Sequence, residues 1–349
     1  MQISSILKGI LAVSVVSKAF NIYGFQKGQF LTRFHLDRHK FQNNYILSSG
    51  IMTATRSTRA KKQSTVVKSS CADNGISKVA KIQQEIREFK DFKPESMTRF
   101  FKVGKGDYAE HEKFLGVSNP SIRKLANVYV DTDDVTLQDI QELLYSEFNE
   151  ERCLALVMLV GMFEKLLKAH EVLLKNVDVA ESDEMKENLG KQKEIFDFYL
   201  RNTRYINNWN LVDISACQII GVYLLDKAVG EQEGTLHALA RSTSLWERRI
   251  SIVSTLAFIR QEQFVHTLTI SQMLFEDGED LIHKATGWML REMGKRKVAV
   301  LRECLAAQAQ LMPKTMLRYA IEKLPATEQK KYLRQHQEHQ QQLQGKGGK

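Results

Sequence analysis

The chain has 349 residues, enough for one large domain or two ordinary ones with a real core. Charged residues make up 26% and apolar residues 43%, the balance of a soluble folded protein. The net charge of +9 sits in residues 1–72, which hold 11 Lys/Arg and one acid, Asp37; the near-neutral remainder can bind a polyanion only through a local basic face.

Residues 1–72 are basic, Ser/Thr-rich and almost free of acids, the composition of an organellar targeting segment. Two other readings stay open. One is a weak secretory signal whose n-region carries only Lys8; the other is translated sequence upstream of a start at Met52. The uncharged run Gly9–Ser17 is too short to span a bilayer, so no membrane partner is expected. Cys71, Cys153, Cys217 and Cys304 are scattered without a CxxC or a His at zinc-finger spacing, so neither disulfides nor a metal site nor any other cofactor is expected.

From residue 73 on, the pattern is helical. Ile76, Val79, Ile82, Ile86 and Phe89 recur at helical spacing over 75–92, and Pro94 is expected to close that helix. Val103-Gly104-Lys105-Gly106-Asp107-Tyr108 follows Met97–Lys102. It has no strand before it and no third glycine, which argues against a nucleotide-binding loop. Ser118 or Asn119 then caps a helix with Pro120 at its first position, an N-terminus with free N–H groups that suit a phosphate. Further helices are expected over 137–148, 150–174, 193–201, 210–228, 234–242, 246–260, 263–276, 279–294, 297–310, 313–323 and 326–342. An acidic insertion interrupts them at about 175–193, and a Gln/Lys/Gly-rich tail from 336 to 349 is expected to be disordered.

Asp213, Arg249 and Lys284 each stand near the start of an apolar helix and are separated by 36 and 35 residues. A period in the thirties built from helix pairs marks an α-solenoid of HEAT or TPR type, whose pairs stack to bury their apolar faces and leave one concave surface. The expected fold is therefore all-α, an α–α superhelix from about 73 to 335. Within it, Trp209 and Asp213 are four residues apart, which on a helix puts both on one face about 5–6 Å apart. A buried aspartate on an apolar helix is costly unless paired, so Asp213 is expected to look out beside Trp209. The plainer reading of WxxxD alone is a helix start with a packed indole.

Four segments in order change the balance: Phe114-Leu115-Gly116-Val117 with Pro120-Ser121-Ile122-Arg123, then Asn208–Asp213, then Leu245–Ile250, then Lys284–Glu292. Together they resemble the DNA alkylation repair family, AlkD-type glycosylases built from HEAT-like repeats, over about residues 78–333. The resemblance implies a catalytic cleft of Asp213, Trp209 and Trp288 in a concave DNA-binding groove, with Arg249 on the DNA backbone. It also implies DNA contacts from Phe100 or Phe101 and from the Ser118-Asn119-Pro120 turn. Arg291 either pairs locally with Glu292 or joins the DNA face. Taken singly, Trp288 and Trp246 read as core, and Arg248 and Glu247 as salt bridges between repeats.

The chemistry is consistent with this. An N3- or N7-alkylated purine is already cationic and leaves without a general acid. The demand on the protein is a carboxylate that stabilises an oxocarbenium-like sugar and orients water. The expected function is a DNA glycosylase releasing such bases from duplex DNA, acting as a monomer in an intracellular, DNA-containing compartment. A noncatalytic HEAT-like protein binding branched or distorted DNA is the alternative, and a peptide-binding scaffold is a third.

Overall fold

A computed structural model of the chain describes residues 77–174 and 182–346, all within one compact unit spanning Ile76–Lys349. The expectations for residues 1–72 lie outside the described residues. The described chain is helical throughout; its sole departure toward β structure is an isolated bridge between Lys113 and Phe148.

The helices are α1 (Lys78–Glu88), α2 (Pro94–Met97), α3 (Asn119–Asp131), α4 (Leu137–Leu144), α5 (Asn149–Leu174) and α6 (Asp183–Arg201). These are followed by α7 (Trp209–Ala216), a π-helical turn (Cys217–Gly221), α8 (Val222–Leu224), α9 (Val229–Ala240) and α10 (Leu245–Arg260). The chain ends with α11 (Val265–Met273), α12 (Asp280–Arg296), α13 (Val298–Gln308), α14 (Lys314–Ile321) and α15 (Ala326–Lys346). Their starts are set by side-chain caps. Ser77, Ser118 and Ser182 each accept from a backbone N–H in the first turn, and Thr136 and Asp139 form a reciprocal capping box.

Two layers result. One row runs α5, α7, α10, α12, α14, each helix packed on the next. The other helices back it: α6 on α5, α9 and α11 on α10, α13 on α12, α15 on α14. This is the α–α superhelix expected from the 35-residue period. The row is also where the core sits: α10 is buried on all sides from Arg249 to Ile259, and α5 almost so from Asn149 to Val160. Helices without a polar face must lie inside such a stack.

Glycine permits the closest approaches in the row. A Cβ on Gly221 would strike the Ser254 carbonyl of α10, and one on Gly287 the Met316 carbonyl and Tyr319 of α14. Row packing thus rests on bare backbone at two helix crossings.

Several boundaries differ from expectation. The first helix ends at Glu88, and Pro94 opens α2 rather than closing α1, as proline in a first turn can. The stretch 210–228 is not one α-helix, because it passes through the π turn. Residues 183–193 of the expected insertion belong to α6, capped by Ser182. The tail is also helical, to Lys346. Tyr332 and His336 are buried on this last helix, and the His336 ring meets the Met312 carbonyl at 3.0 Å, which ties down a segment whose composition alone suggests disorder.

Two measurements follow from this packing. Gly287→Ala sets a methyl against backbone that cannot yield; overpacking of this kind costs about 1–3 kcal/mol, only partly offset by about 1 kcal/mol of helix propensity. Its Tm should fall by several degrees, whereas a Tm equal to or above wild type would show that α12 and α14 can part freely. His266 is buried with its Nε2 2.8 Å from Gln232 Oε1, and burial pushes its pKa below the usual histidine value, with Glu233 opposing and His237 adding to the shift. A ring held neutral contributes stability that is complete above the ordinary value of about 6.5 and is lost as pH falls below it. Thermal midpoints of wild type should therefore drop as pH falls below about 6.5, and His266→Gln should flatten that drop; identical slopes would remove His266 as the cause.

Candidate active site

The N-terminal turns of four row helices meet along one edge. Asn210 at the start of α7 donates to Asn149 at the start of α5, 2.7 Å away. One turn further, Asp213 of α7 meets Arg249 of α10, and Arg249 in turn reaches the Leu281 carbonyl in the first turn of α12. Helix N-termini carry partial positive charge and unpaired N–H groups, so an edge built from several of them favours anions.

Asn208 starts α7. It is fully buried, its Oδ1 accepts the Trp209 N–H at 2.8 Å, and its Nδ2 donates to Glu112 at 3.0 Å. Trp209, half-buried, is thereby fixed at the first helical position. Phe101 stacks on it with ring centroids 5.1 Å apart, and Phe114 lies 4.7 Å from Phe101. One face of the Trp209 indole is therefore covered by the protein itself. Phe101 is 4% exposed and serves as packing beneath Trp209, while Phe100 stands half-buried beside it.

Asp213 looks outward, as expected, with a side chain 20% exposed. It is not alone. Its Oδ1 accepts from Arg249 Nε at 2.9 Å and its Oδ2 from Arg249 Nη2 at 2.8 Å, a bidentate pair. Arg249 is 5% exposed and spends a third donor on the Leu281 carbonyl at 2.5 Å. The expected free fork toward a DNA phosphate is thus turned onto a carboxylate. Two of the five guanidinium N–H groups remain.

Trp288 lies half-buried on α12, two turns beyond Leu281, and its Nε1 donates to Glu292 at 3.2 Å. Arg291 resolves toward the local pairing. It is 4% exposed, it faces Glu292 at 3.7 Å and it donates to Glu322 of the next row helix, so it does not join an open face. The Ser118-Asn119-Pro120 turn is already partnered in part. Ser118 caps α3, Asn119 and Pro120 are exposed, and the Asp91 carboxylate takes the Ser118 N–H at 2.9 Å, filling the place foreseen for a phosphate. Burial raises the Asp91 pKa, but hydrogen bonds from Ser121 and Ser118 outweigh it and hold the carboxyl below the usual range.

Sequence reasoning missed the network that joins the 101–117 segment to this edge. Glu112 accepts from Arg152 Nη2 at 2.6 and 2.7 Å, a pair with little exposure, and from Asn208. Glu150 accepts from the backbone N–H groups of Leu115 and Gly116, both at 2.9 Å, and of Val117. Burial pushes the Glu150 pKa up in spite of these bonds. Tyr108 stands edge-on to Trp246, centroids 6.0 Å apart, so Trp246 is half-buried at this edge rather than core. No spacing rule links residues this far apart in sequence; only the recurrence of Glu and Arg at helix starts hinted at it. Arg248 does bridge to Asp277 before α12, and Glu247 accepts from Thr203.

The edge thus combines a part-exposed carboxylate, locked in orientation by an arginine, with an indole fixed one turn away. Such a group can face a cation and hold a water. No helix among the described residues is long and apolar enough to cross a membrane.

A family model described as DNA alkylation repair enzyme matches residues 82–324, which takes in α3 to α14 and every residue of the edge. No curated protein matches the chain. Among solved structures, a predicted DNA alkylation repair enzyme from Enterococcus faecalis superposes with a TM-score of 0.49 at 14% identity, covering 67% of this chain and 95% of that one. By the family match over most of its length, the chain belongs to the DNA alkylation repair enzyme family, and its work lies in the repair of alkylated DNA.

Proposed function

We propose that the protein is a DNA glycosylase that hydrolyses the N-glycosidic bond of N3- or N7-alkylated purines in duplex DNA. The observation that carries the reading is Asp213, a part-exposed carboxylate at an edge of helix N-termini, held in orientation by a bidentate arginine.

The substrate explains why one carboxylate is enough. The alkylated base bears a positive charge and departs without protonation, so no second acid is required. As the bond breaks, positive charge passes to the sugar. Asp213 faces that charge, and each of its oxygens, having accepted one bond from Arg249, keeps a lone pair for the attacking water. Arg249 then acts as a positioning residue, and its two unused N–H groups are the ones left for a backbone phosphate. The indoles of Trp209 and Trp288 favour a cationic nucleoside by about 0.5–2 kcal/mol each. Phe100, Ser118, Asn119 and Pro120 lie on the segment preceding and opening α3 and are assigned to the DNA contact surface. HEAT-like repeats would hold the duplex along the row edge, with a monomer sufficient for the reaction.

One observation favours the noncatalytic alternative, a protein that binds distorted duplex. Phe101 covers a face of Trp209 and leaves less aromatic surface for a base. The two readings separate in single-turnover release of 7-methylguanine from methylated duplex by wild type and Asp213→Asn. Removal of the charge should slow release by about 100-fold or more, near 3 kcal/mol, with duplex affinity almost unchanged. Equal rates would end the catalytic role of Asp213, and no release by folded wild type that binds distorted DNA would establish the alternative.

A further inference from the structure

The start of α7 is not capped as other helices of the domain are. Ser77, Ser118 and Ser182 each place a hydroxyl under the N–H three residues on, the usual reach of a capping side chain. Asn208 instead turns its carboxamide oxygen onto the N–H of the next residue, Trp209, at 2.8 Å. What turns it is Glu112, whose Oε1 accepts from Asn208 Nδ2 at 3.0 Å. A carboxylate paired with an arginine can only accept, so the amide has one orientation open to it, nitrogen toward Glu112 and oxygen toward Trp209.

Glu112 is itself held in place. The side chains of Asn208, Glu112 and Arg152 are almost fully buried. Arg152, in the first turn of α5, donates to both Glu112 oxygens at 2.6 and 2.7 Å, and its Nη1 donates to the Ser146 carbonyl at 2.8 Å. The backbone on either side is pinned as well. Glu112 N donates to the Ala109 carbonyl at 3.0 Å, and the Lys113 carbonyl accepts from Asn149 N at 2.9 Å. A relay of buried polar groups therefore runs from α5 through Glu112 to the start of α7, one turn before Asp213. Arg249 holds Asp213 by its tip, and the relay holds the helix on which it stands.

We propose that Glu112 is a positioning residue for the glycosidic reaction: through the Asn208 carboxamide it sets the start of α7, and with it the places of Trp209 and Asp213 against the sugar. The inference deepens the glycosylase reading and rests on it. A displacement of about 1 Å at a reacting group can cost on the order of 100-fold in rate, so a short helix that carries the reacting carboxylate has to be fixed at its origin. The relay also requires asparagine at position 208. Serine, threonine or aspartate would cap a helix equally well, but the first two are too short to reach Glu112 and the third would set a second carboxylate against it.

The test compares the full wild-type chain with Asn208→Ser, Glu112→Gln, Asn208→Asp and the exchanged pair Glu112→Gln with Asn208→Asp. Serine can cap the third N–H, as it does in α1, α3 and α6, so Tm of Asn208→Ser should stay near wild type. Its single-turnover release of 7-methylguanine by saturating protein should nonetheless fall by about 10- to 100-fold. Glu112→Gln and Asn208→Asp should each slow release at least as much, measured well below their own Tm. In the exchanged pair the carboxylate moves to position 208 and the amide to position 112. Donor and acceptor swap, one negative charge stays beside Arg152, and release should return to within about threefold of wild type. Duplex affinity should hold throughout. Hydrogen exchange of the Trp209 amide reads the same contact without the chemistry; it should quicken in Asn208→Ser and slow again in the exchanged pair. Release by Asn208→Ser at the wild-type rate would show that any cap suffices and would overturn the assignment, as would an exchanged pair no faster than its single variants. If wild type released no base, the glycosylase reading would fall on its own, and unaltered Trp209 exchange in Asn208→Ser would then sink the anchoring by Glu112 as well.

Discussion

The ion pair between Asp213 and Arg249 organises the molecule's site edge. It joins α7 to α10, and through the Leu281 carbonyl it joins α10 to α12. Three consecutive row helices are therefore set in register by one guanidinium. A buried arginine is costly unless its donors are satisfied, and here the partners come from two neighbouring helices. The same geometry that offsets this cost also fixes the direction of the carboxylate. An unanchored carboxylate on a short helix would sample rotamers; this one has a single orientation toward solvent.

The rest of the edge is arranged around that orientation. Asn208 fixes the start of α7 so that Trp209 and Asp213 fall on one face, and Glu112 holds Asn208 from outside the row. Glu112 belongs to the segment that carries Phe101 and Tyr108, so the N-terminal part of the domain supports the indoles Trp209 and Trp246. Buried acids at the start of α5, Glu150 and Glu151, anchor this segment and α1 through backbone N–H groups and Arg87. Anionic side chains near a helix N-terminus are favoured.

Periodicity carried the fold. Apolar residues at helical spacing and a repeat of 35 to 36 residues suffice to foresee stacked helices, because each pair must bury an apolar face against its neighbour. Asp213, Arg249 and Lys284 recur at that period, whereas Trp209 and Trp288 join the candidate site only through the family resemblance. Less legible were features that depend on which polar groups meet. Nothing in the spacing of Arg249 says that its fork turns to Asp213 rather than outward, since both uses are bidentate. Arg291 was open between two partners until Glu322 of the next helix came alongside. The Asp91 carboxylate at the start of α3 took a place that a free helix terminus offers to any anion. The tail is less legible because a Gln-rich composition has little apolar signal, while Tyr332 and His336 pack the last helix at those two positions.

The most direct test of this account is a double-mutant cycle on unfolding free energy, comparing wild type, Asp213→Asn, Arg249→Gln and the double variant. If one pair joins the row helices and aims the carboxylate, the two substitutions are strongly coupled, by about 1–3 kcal/mol, because the second partner has little left to lose once the first is gone. Effects that add to within about 0.5 kcal/mol would contradict it.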